Sequence, residues 1–141
     1  MNALPDGLFP VTQTNALEAF DWIFAPWIKE MGLTDWEVRE GFVSARLPLN
    51  DHLKFFSGAI CGQALMAAID TVASMASATG PRTGKGTVYQ HTHFLRPAIN
   101  EEFRVAAEVK RFGKSSTYVE CSVTFAGSGD LVAHAVLEFA F

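Results

Sequence analysis

A chain of 141 residues with 49% apolar composition is one domain of ordinary size with enough apolar material for a single core, and it is not a disordered chain. Its net charge of -4, with no long run of one sign, excludes nucleic-acid binding through bulk electrostatics. Two cysteines, Cys61 and Cys121, without CxxC or Cys/His spacing, exclude a disulfide framework and a Cys/His metal centre.

The opening MNALPDGLFP lacks the basic region and apolar stretch of a signal peptide, so a cytoplasmic location with reduced thiols is expected. Residues 1 to 13 read as a loosely ordered lead-in. From Asn15 to Met31 apolar residues recur at Leu17, Phe20, Ile23, Phe24, Trp27 and Ile28, the spacing of a helix with Asn15 as N-cap and Gly32 as stop. Pro26 kinks or divides it. The expectation is a short amphipathic helix with a break, lying over the edge of something larger.

From Leu33 the period changes to two, through Trp36, Val38, Val43, Ala45 and Leu47, with Glu40-Gly41 as a turn. This is a hairpin or one bent strand. A loop, 50 to 57, leads to GAICGQALMAAIDTVASMASATG, residues 58 to 80, which no proline interrupts and which good helix formers dominate. It predicts one helix of about six turns, buried on most faces. At 100° per residue Gln63, Asp70, Ser74 and Ser77 form a single polar stripe. These polar residues also break the apolar run well short of a membrane span.

Four β-rich runs follow: 87 to 95, 102 to 112, 115 to 125 and 131 to 139. Their short links predict an antiparallel meander. One buried helix among about six antiparallel strands can hide its circumference only if the sheet curls round it, which makes the fold class α+β. The domain assignment is one unit over 1–141, with 1–32 as lead-in and helix and 33–141 as core.

The layout resembles the hotdog fold, and more narrowly the acyl-CoA thioesterases of the PaaI-like branch. SGAICGQALMAAIDTVASMA, the strand ending FLRPA, and RFGKSSTYVECSVTF carry the resemblance, which covers about residues 36 to 139. That branch shows an Asn, then His-Gly-Gly at the helix start, then an Asp eight residues beyond the first Gly. Gly62 and Asp70 keep this spacing, while Cys61 stands at the His position, Gln63 at the second Gly and Phe55 at the Asn.

Residue chemistry and resemblance point to the same groups. Asp70, desolvated in an apolar helix, gains basicity and suits a general base or nucleophile; a structural Asp bonded to Ser74 or a strand amide is the alternative. The Gly62 N–H, unpaired at the positive end of a helix, can polarise a thioester carbonyl, unless the glycine serves only helix packing. Eight helical residues place the two roughly 12 Å apart, too far to share one carbonyl within one chain. Acting together, they must come from two subunits across a two-fold axis. The resemblance implies such a homodimer, with dimers pairing into tetramers, and assigns Thr87 to holding the attacking water.

For CoA, the resemblance points to Arg96 beside Phe94 in FLRPA and to the turn Arg111, Phe112, Gly113, Lys114, Ser115, where exposed N–H groups and cations suit phosphates. A solvated hairpin turn is the plainer alternative. Cys61, Gln63, Phe55 and Ser74 complete the expected substrate-binding set. His91 and His93 share a strand face, but two ligands without a third make no metal site.

The expected activity is hydrolysis of an acyl-CoA, with no metal or redox cofactor and CoA entering only as part of the substrate. An enoyl-thioester hydratase or dehydratase is one alternative. A non-catalytic module binding acyl-CoA or another hydrophobic ligand is the other.

Overall fold

The computed structural model describes residues 5–99 and 101–141. The lead-in, expected to be loose, is packed: Leu8 and Val11 are buried, and the Val11 N–H bonds the Ala78 carbonyl. Asn15 organises this segment. Its Oδ1 accepts from the Thr12 N–H, and its Nδ2 donates to the carbonyls of Gly7, Leu8 and Pro10. Pro26 divides the first helical pattern into α1 (Ala16–Ile23) and α2 (Pro26–Lys29), with the proline at the first position of α2, where no N–H is needed.

The stretch from 33 to 47 is a hairpin of β1 (Thr34–Arg39) and β2 (Phe42–Leu47), turned at Gly41 with φ of 78°. Next comes α3 (Gly62–Ser77), shorter at both ends than the 58 to 80 expected. Gly58 has φ of 89°, the Gly58 N–H bonds the Phe55 carbonyl, and Lys54 bridges Ile60, so residues 54 to 60 form a tight loop. The chain becomes helical only after Cys61, an extended N-cap. Past Ser77 the backbone closes in tight turns, Thr79 N–H to Ala76 and Gly80 N–H to Ser77. A Cβ at Gly80 would overlap the Phe112 ring.

The last four strands are β3 (Gly86–Phe94), β4 (Phe103–Phe112), β5 (Ser116–Phe125) and β6 (Leu131–Ala140). They do not form a simple meander. The spatial order is β1-β2-β4-β5-β6-β3, every pairing antiparallel, so the first hairpin docks on β4 while β3 crosses over to the far edge beside β6. This crossing lets the sheet wrap α3 from both sides. Leu65, Ala68, Ile69, Val72 and Ala73 meet inward residues such as Val43, Phe103, Val105, Cys121 and Leu137, all buried. Each fully buried Val, Leu, Ile or Phe here contributes about 1.5–3 kcal/mol. Burial also holds the Cys121 thiol well above its usual range.

The two sheet edges differ. At β1, Gln13 acts as a surrogate strand partner: its Nε2 donates to the Trp36 carbonyl and its Oε1 accepts from the Val38 N–H. Among the described residues β3 pairs with β6 alone, and it exposes Val88, Tyr89 and Phe94 by about half their surface. An uncovered apolar edge is a ready template for another strand.

Candidate active site

Helix α3 shows one outer line that the sheet does not cover, and it is close to the stripe read from the sequence. Gln63 is exposed, Asp70 and Ser74 are half-buried, and Met66 joins them, whereas Ser77 is buried. On one flank lie α1 and α2, and on the other β3.

Asp70 projects between these flanks. Its Oδ1 accepts a 2.7 Å hydrogen bond from the Thr87 hydroxyl. Desolvation by burial raises the Asp70 pKa, and the Thr87 bond opposes the rise by favouring the ionised form. Thr87 reaches the helix because β3 is irregular. Thr87 pairs with Phe139 and Tyr89 with Glu138, so one extra residue sits between them as a bulge. Phe139 faces the core, and the bulge turns Thr87 to the same side. Gln90 adds a donor there: its Nε2 bonds the Met66 carbonyl and Thr92 Oγ1. The cleft holding Asp70 has a volume of about 470 Å³ and is walled by Phe24, Trp27, Ile28, Met66 and Gln90.

Gly62 lies in a different cleft. As the first residue of α3 its N–H has no intrahelical acceptor. The Phe94 ring lies over it, 3.3 Å from where a Cβ would stand, so glycine also serves the close approach. This second cleft, about 450 Å³, gathers Phe55, Gly62, Phe94 and Arg96. One Arg96 donor is committed to the Leu131 carbonyl at 2.6 Å. Asp70 lines only the first cleft and Gly62 only the second, in keeping with their separation along the helix.

Residues 54–132, more than half of the chain, match the thioesterase superfamily. The chain belongs to the thioesterase superfamily. It is 34% identical over 87 residues to an esterase candidate of Thermoplasma volcanium, a match covering 61% of this chain and 65% of that protein, so it spans just under two thirds of that curated relative's length. Among solved structures it is similar to the E. coli PaaI protein from the phenylacetic acid degradation operon, with TM-score 0.79, 18% identity, and 90% of each chain covered. A second, smu.793 from Streptococcus mutans bound to acetyl CoA, has TM-score 0.70 and 17% identity, covering 78% of this chain and 89% of that one. The fold is the hotdog fold expected from the sequence.

In this superfamily member the remaining expected residues divide by position. Cys61 caps α3 by its backbone: its carbonyl accepts from Ala64 and Leu65, and its thiol is free. Gln63 points to solvent. Ser74 follows Asp70 by one helical turn. Arg111 lies near the end of β4, and Gly113, Lys114 and Ser115 form the β4–β5 turn, where the Gly113 N–H bonds the Ser116 carbonyl and the Gly113 carbonyl accepts from Arg82. Phe112 beside them packs on Gly80, past the C-terminal end of α3, while Phe94 and Arg96 lie at its N-terminal end. Within one chain the structure therefore does not bring Arg96 and this turn together. His91 and His93 stand on the outer sheet face with Nε2 atoms 3.0 Å apart, and His134 bonds Glu120 there.

The sequence reading missed the contribution of α1 and α2 to the Asp70 cleft. The available signal was the apolar excess of that segment: Leu17, Trp22, Ile23 and Trp27 all remain exposed, more than one buried helix face explains. Among the described residues no helix is long and apolar enough to cross a membrane, and no three His, Cys, Asp or Glu side chains converge as a metal ligand set.

Proposed function

We propose that the protein is an acyl-CoA thioesterase that works as a homodimer through the open edge of β3. The observation that carries this reading is Asp70, half-buried, raised in pKa and bonded to Thr87, set beside an unpaired apolar strand edge. β3 runs from Thr87, at Asp70, to Phe94, at Gly62. Antiparallel pairing of two β3 strands about a two-fold axis near Gln90 sets Phe94 of one subunit opposite the start of β3 in the other. Gly62 of the partner subunit then approaches Asp70, and the two clefts join. The same operation brings the β4–β5 turn of one subunit towards Arg96 of the partner subunit, reuniting the expected CoA-binding residues.

In the joined site the Asp70 carboxylate removes a proton from a water held with Thr87, and the water oxygen attacks the thioester carbon. Charge developing on the carbonyl oxygen is met by the Gly62 N–H at the helix N-terminus. The C–S bond then breaks, and CoA leaves as the thiol with the proton Asp70 took. Nothing is oxidised or reduced, and in this proposal the Asp70 carboxylate supplies the base and the Gly62 N–H the carbonyl polarisation. The acetyl CoA of the Streptococcus mutans neighbour supports CoA as the thiol. Free Cys61 and Cys121 fit a reducing cytoplasm, and exposed Tyr118 and Val136 on the outer face suit the pairing of dimers.

Histidine-assisted hydration is a poorer fit. Among the described residues of one subunit no histidine lines the Asp70 cleft: His91 and His93 face away from α3, His134 is held by Glu120, and His52 lies in the turn 51–53 ahead of the helix. The test is thiol release from a panel of acyl-CoAs by wild type and Asp70→Asn. Thiol release that the substitution abolishes supports the proposal, and binding without turnover by wild type sinks it.

A further inference from the structure

The outer face of the sheet carries three histidines that the Asp70 chemistry does not use. His91 and His93 lie two apart on β3, so their side chains share one face, and their Nε2 atoms stand 3.0 Å apart. Strand register supplies the third: His93 pairs with His134 of β6, while His91 pairs with Val136. Residues directly opposite on neighbouring strands carry Cβ atoms about 4.5–5.5 Å apart on the same face. No sequence spacing links His134 to the other two. The crossing of β3 to the edge beside β6 brings it there.

Three imidazoles in this frame suit one ion. At 3.0 Å the His91 and His93 nitrogens share a proton, one ring donating and the other accepting. Two nitrogens each about 2.1 Å from a tetrahedral Zn²⁺ stand about 3.4 Å apart, so an ion replaces that proton with a small opening of the pair. His134 is turned toward Glu120, its Nε2 2.6 Å from Oε1, so in these rotamers the described residues do not yet bring three ligands together. His134 is half-buried and can swing toward His93 through its own side-chain torsions. Glu120 then keeps Lys110, 3.2 Å away, and the exchange strands no charge. Imidazole suits Zn, Cu and Ni, and Cys121, the thiol of β5, is turned into the core.

We propose that His91, His93 and His134 form a three-histidine site for a divalent transition cation such as Zn²⁺, which clasps β3 to β6. Water completes the fourth position. The site lies on the sheet face away from α3, so the inference stands apart from the thioesterase reading of Asp70. Its consequence is mechanical. Among the described residues β3 is held to the sheet by β6 alone, and the same strand carries Thr87 and the open edge.

The test is calorimetric titration of the untagged protein with ZnCl₂. Wild type should take up one ion per chain. Removing a ligand through His91→Gln, His93→Gln or His134→Gln should weaken binding at least about tenfold, the least that loss of an outer-shell partner costs. The three positions lie on the sheet surface, where glutamine is accommodated, and a second readout guards against misfolding: Zn²⁺ should raise the Tm of wild type and of none of the three variants. Cys61→Ser, which removes the half-buried free thiol, should bind like wild type. A His134→Gln variant that binds within about tenfold of wild type shows an ion held by the β3 pair alone and overturns the site. Binding lost in Cys61→Ser overturns it as well, and so does a wild type that takes up no Zn²⁺. Long-range ¹H–¹⁵N spectra give the ligation directly: the ring nitrogens of all three histidines should shift on adding Zn²⁺, and an unmoved His134 ring contradicts the proposal.

Discussion

Thr87 reaches Asp70 only because β3 carries one residue more than β6 opposite it. Regular alternation would place Thr87 on the outer face with Tyr89, His91 and His93; the bulge turns its hydroxyl inward, 2.7 Å from the Asp70 carboxylate. A strand defect thus sets a direct polar partner of the candidate base. Burial and this hydrogen bond act on Asp70 in opposite senses, and burial is the larger.

Activity should follow the ionised form of Asp70. Because its pKa is raised above 3.8, kcat/KM should climb with pH along an acid limb displaced upward from that of an ordinary aspartate. Asp70→Asn should lower kcat by about 10²–10⁴-fold and remove the limb. A pH profile of thiol release checks both, and an acid limb surviving in Asp70→Asn would assign the base elsewhere.

Thr87→Val removes the hydroxyl with little change of shape. The bond it deletes favours the ionised carboxylate, so the Asp70 pKa should rise further and the acid limb should move to still higher pH. A variant with reduced kcat but an unmoved limb would mean that Thr87 holds only water or substrate.

Much of this architecture was legible in the sequence because alternation and helical period are set by burial, which the sheet and α3 obey. Asp70 stands out as a lone carboxylate in an apolar helix, and Gly62 by its place at the helix start and by the spacing that the family resemblance supplies. The failures have local causes. Ala59 and Ile60 fit a helical apolar pattern, but the left-handed Gly58 and the Lys54 bridge to Ile60 delay the helix to Gly62. Short links suggested a meander, yet β3 crosses to β6, a pairing fixed by tertiary wrapping and not by loop length. The packed lead-in depends on one Asn15 side chain bonding three carbonyls, and no periodicity encodes that. The bulge at Thr87 leaves no compositional trace either.

Asp70 should also weaken the fold. For an acid whose pKa is raised on folding, the native state binds more protons than the unfolded state between 3.8 and the raised value, so stability falls as pH climbs through that window and stays lower above it. Asp70→Asn lacks this penalty and can still accept from Thr87. At pH 7 its Tm should exceed that of wild type, and the gap should close as pH falls toward 4. Thermal unfolding across pH measures this, and an Asn variant less stable at pH 7 would contradict desolvation as the dominant influence on Asp70.

The shared site makes a quantitative demand on mixtures. Gly62 is the first residue of α3 and follows an extended Cys61 with ψ of 149°, the geometry that a proline at the first helical position accepts. Gly62→Pro therefore deletes the N–H donor while retaining the helix, and should lower kcat by about 10²–10³-fold. Gly62→Ala keeps the donor and serves as the control for bulk against Phe94. When Asp70→Asn and Gly62→Pro subunits are unfolded together and refolded at equal ratio, half of the dimers are mixed. Each mixed dimer has one site with both groups intact and one with neither. Recovery of about a quarter of wild-type activity from two nearly inactive proteins is the expected result for a two-fold shared site. Groups acting within one subunit would give no recovery, because every subunit in the mixture lacks one of them.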